Sequence, residues 1–253
     1  MKEDRSIDAF DVFIEIILIA MILASPLALG AVAPWARNIL CVMAAALLTA
    51  WLMQGARRGE LRVVRSSLWF FILAFFGLAL LQIAPLSPSV VKALSPGAWH
   101  SYTLAMNGYP STEEARTLSV CSYATVTEIV RLATLATVFF IVVNVVRTRR
   151  QVVGIILALV AIGSFEALYG FAEHFSGHRH IFWLPRQYHL AAVTSTFLNK
   201  NHFAGLLEMI VPVSLGLLFA IGRRRGRDTP GRQPREIPEK GFLAAISSPT
   251  VSQ

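Results

Sequence analysis

The sequence predicts an all-α, polytopic membrane protein with about six transmembrane helices and both termini in the cytoplasm. Three observations predict it. The 253-residue chain is 55% hydrophobic and only 15% charged, whereas a soluble domain carries about 25% charged residues. Its apolar residues form long continuous runs instead of the alternating pattern of barrel strands, so helices are the spanning element that can pair every backbone group internally. Its Arg residues cluster in alternate connections between those runs, as topology determinants do.

The runs cover approximately 12–32, 36–53, 67–84, 126–146, 152–172 and 203–221. Each is near the 17–25 residues that cross a hydrocarbon core of about 30 Å. The segment before the first run mixes signs (Lys2, Glu3, Asp4, Arg5), and no small-residue cleavage pattern follows the run. It reads as a retained span and not as a signal peptide. Arg57, Arg58, Arg62 and Arg65 separate the second and third runs, and Arg147, Arg149 and Arg150 separate the fourth and fifth. Arg223, Arg224, Arg225 and Arg227 follow the sixth. The positive-inside rule places all three clusters in the cytoplasm and three connections outside. Residues 1–222 thus form a membrane domain, and 223–253 form a basic, Pro-rich cytoplasmic tail read as disordered.

The first outer connection is a tight Gly/Pro turn, Gly30-Ala-Val-Ala-Pro-Trp35, with an interfacial Trp. The second, about 85–125, is long enough to fold over the membrane surface and begins with helix-breaking prolines. The third, about 173–200, is crowded with polar side chains.

The net charge of +8 and pI near 10.1 do not indicate nucleic-acid binding, because the basic residues sit in short clusters between apolar runs without interleaved aromatics. Cys41 lies in an apolar run and Cys121 in a polar loop, which argues against a bridge; neither belongs to a metal-binding spacing.

Charge inside the membrane calls for an explanation, since it costs roughly 2.5–3.5 kcal/mol at a helix centre on insertion scales. Glu15 lies one turn into the first run, where snorkelling accounts for it. Glu128 and Arg131 share a face near the outer end of the fourth run and are spaced to pair. Glu166 and Glu173, seven apart, share a face of the fifth; Asn201 and Glu208, also seven apart, share a face of the sixth. Pro212 follows as a potential kink.

Five of the six histidines fall between His174 and His202, together with Arg179, Arg186 and Lys200. The spacing fits no strong zinc pattern, and no metal or other cofactor is expected. The cationic balance suits an anionic ligand such as a phosphate or pyrophosphate, because Arg offers a bidentate fork to phosphoryl oxygens. Residence among lipid headgroups explains the same composition equally well.

The stretch Thr194-Ser-Thr-Phe-Leu-Asn-Lys-Asn-His-Phe-Ala-Gly-Leu-Leu-Glu-Met209 resembles the Gly/Ser-Thr-Phe-x-Asn-x-Asn-x-Phe-Ala signature of the O-antigen ligase and O-antigen polymerase superfamily. Gly30–Trp35, Gln82-Ile-Ala-Pro-Leu-Ser-Pro88 and Leu168-Tyr-Gly-Phe171 agree with it in order and placement. The resemblance implies a multi-pass protein of the bacterial inner membrane. It implies glycosyl transfer, without metal, from an undecaprenyl-pyrophosphate-linked glycan to lipid A–core or another glycan acceptor on the periplasmic side. It also implies substrate-binding roles for Arg186 and Lys200 at the pyrophosphate, for Asn199, Asn201 and His202 at the glycan or carrier phosphates, and for Glu208 beneath them. It assigns no catalytic residue here. Members of the superfamily are longer and carry a further Arg and His in a later outer loop, so the chain is expected to correspond to the amino-terminal, truncated half of such an enzyme, partial or inactive by itself. Two other classes fit the same composition: a transporter or channel subunit with Glu166 and Glu208 lining a pathway, and an assembly subunit without chemistry.

Overall fold

The computed structural model describes residues 9–61, 63–105, 115–177, 180–185 and 192–227. The described chain is almost entirely helical, as expected of an all-α polytopic membrane protein. The helices are α1 (Ala9–Leu27), α2 (Pro34–Arg58), α3 (Leu68–Ile83), α4 (Pro88–Leu94), α5 (Pro96–Ala105), α6 (Ser122–Val145), α7 (Arg149–Ser176) and α8 (Lys200–Arg227). A two-residue antiparallel pair, β1 (His180–Ile181) and β2 (Leu184–Pro185), lies between α7 and α8.

Five of these helices (α1, α2, α6, α7 and α8) are long and apolar enough to cross a membrane. The sixth expected span is α3, which has 16 residues. At 1.5 Å per residue it is about 24 Å long, short of a 30 Å core. It nevertheless runs antiparallel to α6 for its whole length. At one end Trp69 packs on Phe139 and Phe140 with ring centroids 5.8 and 5.4 Å apart. At the other, the Ser119 amide donates to the Gln82 carbonyl at 2.9 Å.

Helix ends follow local chemistry. Pro34 opens α2 after the extended Ala33, and Gly59 closes it at φ 68°. Thr148 and Gln151 form a capping box at the start of α7, and Gly177 closes that helix at φ 69°. These signals extend α2 to Arg58 and start α7 at Arg149, beyond the apolar runs at 36–53 and 152–172. The caps and charged turns lie outside the apolar stretch but inside the helix.

The apolar core joins α1, α2 and α6 through Ile14, Leu18, Met21, Ala44, Leu47, Trp51 and Ile141, with Trp51 edge-on to Phe140 at 4.9 Å. The basic connections meet at one end of this bundle. Asp11 accepts from Gln54 at 2.8 Å and pairs with Arg58 at 3.3 Å. Asn144 accepts the Val64 amide at 2.8 Å, and a cavity of about 60 Å³ there is lined by Asp11, Gln54, Arg58, Asn144 and Arg147. Grouping the Arg57–Arg65 and Arg147–Arg150 connections at one end is the arrangement that the positive-inside reading requires.

The opposite end holds the expected outer connections. Residues 85–125 are not a plain loop: they contain α4 and α5, and α6 starts at Ser122, four residues before the expected span. A backbone bridge between Leu86 and Arg116 draws the segment together. The Tyr102 hydroxyl lies 2.9–3.1 Å from oxygens of Thr117 and Ser119 and fastens α5 to it.

The described residues up to Ile210 pack as one compact unit, and those from Val211 belong to a second. The backbone of α8 stays helical through Arg227; residues 228–253, most of the expected tail, lie outside the described residues.

Candidate functional site

The third outer connection returns toward α7 and plugs into it. Along α7, Gly163, Glu166, Gly170 and Glu173 follow one another at spacings of three, four and three, which places them on one face, and all four are buried. Glu166 is fully enclosed, with 0% exposure. Its carboxyl group is surrounded by the segment Thr194–Thr196, whose three residues are themselves at most 1% exposed.

The contacts are short and numerous. The Ser195 hydroxyl lies 2.6 Å from Glu166 Oε2 and 2.7 Å from the Glu166 backbone carbonyl oxygen. The Thr196 hydroxyl lies 2.8 Å from both carboxyl oxygens and 2.9 Å from the Pro26 carbonyl, and the Thr196 amide donates to Oε2 at 3.3 Å. Pro26 sits in the last turn of α1, where backbone carbonyls have no partner within the helix. Thr196 therefore ties together the end of α1, the face of α7 and its own loop. A buried carboxyl group with three donors within reach answers the desolvation that makes an isolated one so costly.

Two glycines permit this approach. A Cβ on Gly170 would stand 2.9 Å from Val193 and 3.3 Å from Ser195. A Cβ on Gly30 would stand 2.4 Å from the Phe197 ring, and Gly30 adopts φ 68°. Its neighbours Leu29 and Ala31 share that left-handed conformation at φ 59° and 56°, which costs non-glycine residues roughly 1–2 kcal/mol each. Ser195 is also left-handed, at φ 54°. These strained turns face one another across the Phe197 contact, where packing holds them in place.

Beyond this plug the chain enters α8. Asn199 Oδ1 accepts the Asn201 amide at 2.9 Å, and its carbonyl accepts the amides of His202 and Phe203 at 3.1 and 3.3 Å. Asn199 is thus the N-cap of α8, a structural task that the sequence reading had not assigned to it. Phe203 turns inward against Phe197, with ring centroids 6.2 Å apart. Lys200, Asn201 and His202 point outward and are exposed. Because the amides of residues 201–203 are already bonded, the Lys200, Asn201 and His202 side chains, together with the positive end of the helix dipole, are what this turn offers a ligand.

The remaining expected site residues are distributed as follows. Glu208 is exposed and shares the Asn201 face, roughly 10 Å further along the helix. Arg186 lies outside the described residues, as do His178, Arg179 and His189. Glu173 is buried at 6% exposure, whereas His174 and His180 are exposed. Among the described residues no group of three or more His, Cys, Asp or Glu side chains gathers as a metal site would. Glu15 is half-buried, with Oε1 placed 3.6 Å from where a Cβ on Gly154 would stand, so it packs between α1 and α7.

Ser195 and Thr196 are the residues that the sequence reading passed over. Their signal was the run Thr194-Ser-Thr, three hydroxyl side chains ahead of an apolar helix, matched to a carboxyl group on the fifth span that needed donors. Tyr169 is a second such residue: its hydroxyl accepts the Phe182 amide at 2.8 Å and fixes the β1–β2 turn over the end of α7.

No family model, curated protein sequence or solved structure matches the chain.

Proposed function

We propose that this protein serves periplasm-facing transfer of a glycan from an undecaprenyl-pyrophosphate carrier to an acceptor, in the manner of O-antigen ligases and polymerases of the bacterial inner membrane. One observation carries the reading. The segment resembling that superfamily is divided by the structure into an anchor, Thr194–Thr196 on Glu166, and a presented turn with Lys200, Asn201 and His202 exposed.

In such a transfer an acceptor hydroxyl oxygen attacks the anomeric carbon. The carbon–oxygen bond to pyrophosphate breaks, and the acceptor proton passes to a base. The departing pyrophosphate gains negative charge, which Lys200 and Arg186 would stabilise as cations at the outer face. Asn201 and His202 suit hydrogen bonding to sugar hydroxyls or carrier phosphates. Their proposed role is substrate binding, and none of them is assigned as the base. The transport reading draws less support, because Glu166 is sealed by Ser195 and Thr196 and lines no open path.

The test is surface-polysaccharide analysis in cells that depend on this protein, comparing wild type with Arg186→Ala and Asn201→Ala. Loss of polymer, with accumulation of the carrier-linked glycan, is the expected result. Normal polymer from normally inserted variants would remove both residues from the site and the proposal with them.

A further inference from the structure

The intramembrane pair Glu128–Arg131 on α6 is not used by the glycan site. Arg131 Nε donates to Glu128 Oε2 at 2.7 Å, and a second guanidinium nitrogen lies 2.7 Å from the same oxygen. Both side chains are about half exposed, at 51% and 52%. Counting from Ser122 at 1.5 Å per residue, Glu128 lies about 9 Å and Arg131 about 13 Å along α6, below the outer end of a helix that carries no other charged residue. Only 6% of the most apolar window of α6 is buried by this chain, against 28% for α2.

Hydrocarbon is a poor environment for this pair. The intrahelical bonds occupy one carboxylate oxygen and leave the other oxygen and further guanidinium donors facing outward. Among the described residues no neighbouring helix supplies partners for them. Ala124 and Leu135, at helical spacing above and below, are exposed on the same side and continue that face with a small residue above the pair and an apolar one below.

We infer that the outer half of α6 is the contact face for a second copy of this chain, with Glu128 of each copy paired to Arg131 of the other. Two copies inserted with the same orientation are related by a two-fold axis along the membrane normal, so equal heights on α6 face each other. An anion and a cation one turn apart are self-complementary under that operation. Each arginine reaches the opposite carboxylate across a height difference of about 4.5 Å, and a ring of four alternating charges results.

The experiment uses the full chain carrying two different affinity tags, coexpressed at low level and recovered from membranes in lipid nanodiscs. Wild type is expected to co-purify across tags and to give two-step photobleaching. Glu128→Arg and Arg131→Glu alone each place like charges across the axis and are expected to lose at least tenfold of the co-purified partner. Coexpression of Glu128→Arg with Arg131→Glu restores opposite charges in trans and is expected to recover the pair. A purely intrahelical role has no such rescue. Where a reversed charge prevents insertion, Glu128→Gln and Arg131→Gln are read in the same way, with co-purification lowered. Monomeric wild type, undiminished association of the single variants, or absence of rescue in trans would each overturn the inference.

Discussion

Ser195 meets Glu166 twice, at the side-chain oxygen and at the backbone carbonyl of the same residue, across 29 positions of sequence. That double contact fixes both the rotation of α7 and the depth of the loop that precedes α8. A loop carrying buried backbone and hydroxyl groups normally stays at the surface for want of partners. Here a single carboxyl group supplies several of them, so the loop can enter the bundle.

Glu166→Ala takes the acceptor from the buried Thr196 amide, leaves the Ser195 and Thr196 hydroxyls with only backbone carbonyls, and opens a void beside them. Each buried polar group left unsatisfied costs about 1–3 kcal/mol, so the variant is expected to lose several degrees or more of thermal stability in detergent. Glu166→Gln keeps the shape and one carbonyl acceptor, and its expected loss is smaller. Thermal unfolding followed by size-exclusion recovery checks the order. Equal stability of wild type and Glu166→Ala would show that the plug contributes nothing to folding.

Gly30 carries two separable demands, a left-handed backbone and the absence of a Cβ against Phe197. Gly30→Ala violates both and is expected to destabilise by about 2–4 kcal/mol from strain and overpacking. Phe197→Ala alone costs about 3–5 kcal/mol as a large-to-small change. In the double variant the clash is gone while the backbone strain remains, so the two costs should sum to less than their separate values. A double-mutant cycle measures that coupling, and strict additivity would mean that the ring does not touch the turn.

Orientation is open to direct labelling, because Cys121 is exposed at the amino end of α6, the end expected to face outward, and Cys41 is only partly exposed within α2. In Cys41→Ser, Cys121 is expected to react with a membrane-impermeant maleimide applied to intact cells. In Cys41→Ser/Cys121→Ser, a cysteine introduced by Ser66→Cys is expected to react only after the membrane is permeabilised. The reverse pattern would invert the topology assigned from the Arg clusters.

The spans were legible because hydrophobicity sums over about twenty residues and outweighs local detail. The Arg57–Arg65 and Arg147–Arg150 clusters do converge at one end. The shortness of α3 was harder to see, because Ser67 and Ala84 extend its apolar run without joining the helix. Helices α4 and α5 were hidden for a different reason: Pro88 and Pro96 read as breakers, yet each stands in the first turn of a helix, where a missing amide costs nothing. At the site, the shared face of Glu166 and Glu173 followed from helical periodicity. Insertion of Ser195 and Thr196 against it did not, since a contact across 29 residues leaves no periodic trace. Asn199 shows a further limit, because the same side chain suits a sugar ligand or a helix cap and only geometry separates the two.

Asn199 and Asn201, two residues apart in the resembled motif, are expected to fail in different ways. Asn199 Oδ1 is spent on the Asn201 amide, so Asn199→Ala removes a cap worth roughly 0.5–2 kcal/mol. Its effect on polymer output should follow its effect on stability, and Asn199→Asp or Asn199→Ser, which keep a capping oxygen, should recover both. The Asn201 side chain is exposed and makes no such bond, so Asn201→Ala is expected to leave unfolding within about 0.5 kcal/mol of wild type. If Asn201 touches the glycan or the carrier phosphates, Asn201→Ala should nevertheless lower polymer output tenfold or more, and Asn201→Asp should not restore it, because a carboxylate lacks the amide donors and repels phosphate. Unfolding temperature measured beside polymer yield for these variants separates cap from contact. Recovery by Asn201→Asp, or a loss of output at Asn201 that merely tracks stability, would assign both asparagines to the scaffold.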